Sequence, residues 1–88
     1  MKNKKEKNIY YFEMTDTFGG DLNYCWLHRF VVESVSIRGA VSKISKEVGF
    51  NFKNTGLHFK AKKACVALYE LDIGQEVTQD WLDKAKKL

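Results

Sequence analysis

Apolar and polar residues alternate through IYYFEMT, residues 9 to 15. Tyr10, Phe12 and Met14 fall on one face, and Ile9, Tyr11, Glu13 and Thr15 on the other. That period of two, with its aromatic content, predicts a β-strand. YCWLHRFVVESV, residues 24 to 35, predicts a second strand with Trp26, His28, Phe30 and Val32 on one face. The intervening DTFGGDLN implies an antiparallel hairpin with a long loop.

After Ser36 the period changes. Ile37, Ala40, Val41, Ile44 and Val48 line one stripe of an α-helix, Ser36 suits its N-cap, and Gly49 suits the left-handed residue that ends it. FNFKNTGLHF predicts two short strands around a KNTG turn, and ACVALYEL, residues 64 to 71, a further strand. EVTQDWLDKAKKL reads as a terminal helix capped by Thr78, with Trp81, Leu82, Ala85 and Leu88 on its buried side. The expected order is β-β-α-(β-β)-β-α. This is the α+β class: a small antiparallel or mixed sheet with a central and a C-terminal helix, mainly on one face. Val41, Ile44, Phe12, Phe30, Val66 and Leu68 are expected in one core. Residues 9–88 form a single domain, and residues 1–8 a flexible basic tail.

Composition narrows the function classes. A chain of 88 residues buries only about 60 to 65% of its unfolded surface, so a deep internal cavity is not expected. Its 44% hydrophobic and 14% aromatic content excludes the composition of a disordered chain. No apolar run approaches the ~20 residues that span a bilayer, and MKNKKEKN is not followed by the roughly 7 to 15 apolar residues of a secretion signal. A cytoplasmic protein with no membrane association is expected. Cys25 and Cys65 then read as reduced, buried thiols.

DTFGGDLNYCW, residues 16 to 26, holds the densest group of chemically able residues. FGGD lacks the spacing of a phosphate-binding or dinucleotide-binding turn, and Asp16 and Asp21 lack the regular ligand spacing of a calcium loop. The reading that remains is a hairpin turn needing Gly19 or Gly20 at positive φ, with Phe18, Leu22 and Tyr24 as a second-choice partner-binding loop. Cys25 and His28, three apart on one strand, point to opposite faces and cannot act as nucleophile and base within it. Both cysteines with both histidines lack the paired spacing of a zinc site. No catalytic residues, metal ligands or cofactors are expected.

Charge is unevenly placed. The overall +4 resolves into +3 for residues 1 to 8, −3 for 9 to 37, +6 for 38 to 63 and −2 for 64 to 88. Arg38, Lys43, Lys46, Lys53, Lys60, Lys62 and Lys63, with His58 and Phe59 among them, are the first-choice partner-binding face. They combine cations with an aromatic as a nucleic-acid surface does.

The stretch from YYFEMTDTFGGDLNYCWLHRF through ESVSIRGAVSKIS, within residues 10 to 48, resembles small proteins carried by bacteriophages and other bacterial mobile elements. These share a strand, a TDTFGG-type loop, an aromatic strand and a helix opening with Arg-Gly-Ala. The resemblance implies a stoichiometric inhibitor of host defence, comparable to compact α+β anti-CRISPR proteins, or a nucleic-acid-binding accessory. The expected function is therefore a non-enzymatic binding protein engaging a protein or nucleoprotein, as monomer or homodimer. A weakly sequence-specific DNA- or RNA-binding module is the alternative.

Overall fold

The computed structural model describes residues 6–19, 21–56, 58–72 and 76–88. Among these, six strands form one mixed sheet: β1 (Asn8–Phe18), β2 (Asp21–Ser34), β3 (Phe52–Asn54), β4 (Phe59–Ala61), β5 (Val66–Glu70) and β6 (Lys86–Lys87). Their spatial order is β3-β4-β5-β1-β2-β6. Helix α1 (Ile37–Val48) follows β2, and α2 (Gln79–Lys84) precedes β6.

The fold is α+β, but its element order is β-β-α-β-β-β-α-β. The expected terminal helix stops at Lys84, where Ala85 turns extended (φ −86°, ψ 146°). Lys86 and Lys87 then run parallel to β2 beside Phe30 and Val31. The backbone gains partners there: Leu88 N–H donates to the Val31 carbonyl (2.8 Å) and Glu33 N–H to that of Leu88 (3.3 Å). An ion pair between Lys86 and Glu47 of α1 fastens the segment. Leu88 consequently packs against the main core from just past a strand, not from a helix.

Helix α1 forms where the period of its apolar residues predicts it. Ser36 accepts the Gly39 N–H through its side chain, and Gly49 closes the helix at φ 83°. Its buried Ala40, Val41 and Ile44 meet Phe12, Met14, Phe30, Val32, Val66 and Leu68 of the sheet in one core. Gly39 is required by close approach, because a Cβ there would stand 2.4 Å from the Ser34 hydroxyl oxygen.

The helices do not share a face. Neighbours in β1 point to opposite sides: Phe12 and Met14 belong to the α1 core, while Glu13 accepts a hydrogen bond from the Trp81 indole of α2. Helix α2 therefore covers the back of the sheet.

The hairpin loop is also shorter than expected. Phe18 pairs with Asp21, leaving only residues 19 and 20 between the strands. Gly19 supplies φ 62° for this turn; Gly20 lies outside the described residues. β1 begins at Asn8, paired with Ser34, and of the expected basic tail residues 1–5 lie outside the described residues.

Candidate functional site

Two places collect the residues singled out by sequence. The first is the β1–β2 hairpin. Its register slips between Thr15↔Leu27 and Thr17↔Leu22, so Asn23 to Trp26 bulge opposite Asp16. The Asp16 carboxylate organises that bulge, accepting the Cys25 backbone N–H (2.9 Å), the Asn23 side-chain amide (2.6 Å) and the Thr15 hydroxyl (3.2 Å). These donors, the Asn23 amide foremost, hold the Asp16 carboxyl below the ordinary carboxylate range. Tyr24 sits in the left-handed region at φ 60° and packs edge-on against Tyr69. DTFGGDLNYCW is therefore a tight turn followed by a bulge that its own aspartate stabilises. Phe18 projects with 80% of its surface exposed, Tyr24 with 55%, and Leu22 is half-buried.

The bulge and the β4–β5 link overturn the expectation of buried cysteines. Cys25 lies in the bulge and Cys65 just before β5, and both are free and exposed. No group of three His, Cys, Asp or Glu side chains converges in metal-binding geometry among the described residues.

The second place is a groove between α1 and the β3–β4 hairpin, an open depression of about 640 Å³. Phe52 and Phe59 line it on the sheet side. They share that face because Phe52 pairs with Ala61 and Phe59 with Asn54, all on the α1 side of the sheet. Arg38, Ser42 and Ser45, at helical offsets of four and three, line the α1 side. Asn51, Asn54 and Lys62 complete its edges.

Two smaller depressions share lining residues with the groove. Lys62 and Asn51 also line a depression of about 260 Å³ that reaches Lys63 and Phe50. Asn54 and Phe59 also line one of about 330 Å³ that reaches His58 and Glu70. Burial, with help from Asp72, raises the Glu70 carboxyl above its ordinary range.

The fold divides the seven expected cations. Arg38 and Lys62 line the groove, and Lys63 lines the smaller depression beside it. Lys43 reaches the other way and donates to the Glu33 carbonyl at the end of β2 (2.6 Å). Lys46 is exposed in the last turn of α1. Lys53 and Lys60 pair directly across β3 and β4, and alternation turns both to the back of the sheet. Like charges so placed repel, which leaves that back edge of the hairpin positive as well.

Sequence reasoning missed Phe52, Asn51, Asn54, Ser42 and Ser45 as groove residues. A signal existed for the hydroxyls: with Arg38 they form a polar stripe beside the apolar stripe of α1. Phe52 gave none beyond strand alternation, because its position depends on how the hairpin folds against the helix.

On the back of the sheet the Glu13 carboxylate, only 9% exposed as a residue, gathers Trp81 Nε1 (2.8 Å), the Tyr69 hydroxyl and Arg29 Nε (3.3 Å). The Arg29 N–H is close enough for an ion pair but not aimed to donate. Burial first, then the bond to Glu13, pushes the Tyr69 phenol well above its ordinary range and keeps it neutral. Trp81 and Tyr69 both spend their donors on the Glu13 carboxylate, so the cluster fastens α2 to the sheet.

Neither the sequence nor the fold matches a family model, a curated protein or a solved structure.

Proposed function

We propose that this is a non-enzymatic binding protein whose working surface is the groove between α1 and the β3–β4 hairpin, and whose target is a nucleoprotein or an acidic protein. The observation that carries this reading is the gathering of Arg38 and Lys62 with Phe52 and Phe59 in one open groove, with Lys63 lining the smaller depression beside it. Cations draw an anionic partner in and recessed aromatics hold it, the division of labour seen between steering charges and anchoring side chains. Glu47, the single acid among residues 38 to 63, is paired with Lys86 and does not neutralise these cations. The resemblance of residues 10–48 to phage and mobile-element proteins supports an anti-defence role, as a stoichiometric inhibitor of host machinery in the cytoplasm. The protruding Phe18 and Tyr24 serve as a secondary contact.

The test is a capture from bacterial lysate with immobilised wild-type protein and with an Arg38→Glu/Lys62→Glu variant, each with and without nuclease, followed by mass spectrometry. A partner held by wild type and lost by the variant at unchanged melting temperature is expected, since exposed substitutions alter stability by only about 0.5 kcal/mol. Loss of the partner on nuclease treatment marks contact through nucleic acid, the reading as a weakly sequence-specific DNA- or RNA-binding module. Equal recovery by both proteins overturns the groove as the working surface.

A further inference from the structure

We infer that the groove takes an unpaired nucleic-acid strand, with bases against Phe52 and Phe59 and phosphates toward Arg38 and Lys62. The inference rests on reading the groove as the working surface and names the chemistry that fits it. Phe52 and Phe59 are half-buried and share the lining of the groove between helix and hairpin with the cations Arg38 and Lys62. A duplex presents phosphates outward and keeps its base faces stacked inside, so recessed rings reach bases only where the strand is unpaired. An acidic protein would satisfy the cations but leave the aromatic floor without a matching flat surface.

The edges suit bases as well. The side chains of Arg38, Ser42 and Asn51 make no hydrogen bond to another described residue, so their donors and acceptors are available to base edges and phosphates. Asn54 is partly engaged, its side-chain oxygen accepting the Gly56 N–H (2.7 Å) and leaving its amide N–H groups free to donate. Lys62 and Lys63 line the smaller depression on one side of the groove, and Glu70 lines the one on the other. Stacking floors of this kind tolerate any base, so the interaction is expected to be weakly sequence-specific.

Fluorescence anisotropy with labelled oligothymidylate, oligouridylate and duplex DNA, at low and near-physiological salt, tests this. Single strands are expected to bind at least about tenfold more tightly than duplex, with affinity falling steeply as salt rises. Phe52→Leu keeps an apolar residue against the core but removes the ring, and should weaken single-strand binding by roughly five- to a hundredfold, the range of one base stack. Phe52→Tyr should restore it. Equal or tighter binding of duplex, or unchanged affinity in a folded Phe52→Leu variant, overturns the inference. If wild type binds none of the probes while Arg38→Glu/Lys62→Glu still loses its captured partner after nuclease treatment, this inference falls and the binding function stands. If neither effect occurs, both fall.

Discussion

On the α1 side of the sheet, Phe12, Phe30, Val32 and Leu68 meet Ala40, Val41 and Ile44 with no charged group among them. On the α2 side the middle of the sheet holds Glu13, and the helix is fastened to it by the Trp81 indole. A 12-residue helix with a full apolar stripe spreads its attachment over many contacts. The six-residue α2 buries chiefly Trp81 and depends on a single carboxylate. Loss of one methyl-bearing contact on the first face leaves its neighbours packed. Loss of the carboxylate on the second strands several polar groups at once.

The most damaging single change is therefore expected at Glu13. Glu13→Ala removes the acceptor for Trp81 and Tyr69 and the counter-charge of Arg29, and should destabilise by about 3 to 5 kcal/mol in urea unfolding. A loss below ~1 kcal/mol would mean the cluster does not hold α2. Ile44→Ala, at a fully buried position of the α1 core, should cost about 2 to 5 kcal/mol by transfer and cavity terms. Replacing Trp81 by Phe keeps most of the ring but deletes the donor to a charged acceptor. The expected cost is about 1.5 to 3 kcal/mol, accompanied by faster amide exchange in α2 but not in α1.

Alkali sharpens the contrast. Tyr69 has a raised folded pKa, so its contribution is fully present below the unfolded value of about 10 and is lost as pH rises beyond it. In a spectrophotometric titration it should ionise last of the four tyrosines, and its ionisation should coincide with release of Trp81. A Tyr69 that titrates with the other three would contradict the burial and hydrogen bond described.

The smallest effect is expected in acid at Asp16, which is only partly covered. Its folded pKa is lowered, so its contribution is present above the ordinary carboxylate range and disappears as pH falls through the folded value. The Cys25 amide, which donates to Asp16, should then exchange faster before any global unfolding is seen.

These elements differ in how far the sequence discloses them. Helix α1 is legible because its cap, stripe and closing glycine are local signals spanning Ser36 to Gly49. Gly19 likewise announces a turn. The bulge is not legible, since it requires Asp16 to accept from Asn23 and Cys25 on the opposite strand, a pairing no periodicity encodes. Lys86 and Lys87 follow a helix-forming run, and only the presence of Phe30 and Val31 alongside turns them into a strand. The groove is partly legible. Arg38 and Lys62 stand out by charge, but alternation that places Phe52 inward sends Lys53 to the other face, and a segment charge count cannot separate the two.

The bulge also bears on what the molecule avoids. Among the described residues, β6 lies beside the outer edge of β2 only at Phe30 and Val31, with Leu88 just beyond, and on that edge, away from β1, no strand pairs with β2 from Asp21 to Arg29. A flat strand with such a row of unshared N–H and C=O groups is a template on which other chains add, one after another, into aggregates. The left-handed Tyr24 and the displaced residues around it interrupt that row before it can run the length of the hairpin. Asp16, by pinning the irregularity in place, keeps a long and aromatic strand from presenting an unbroken edge.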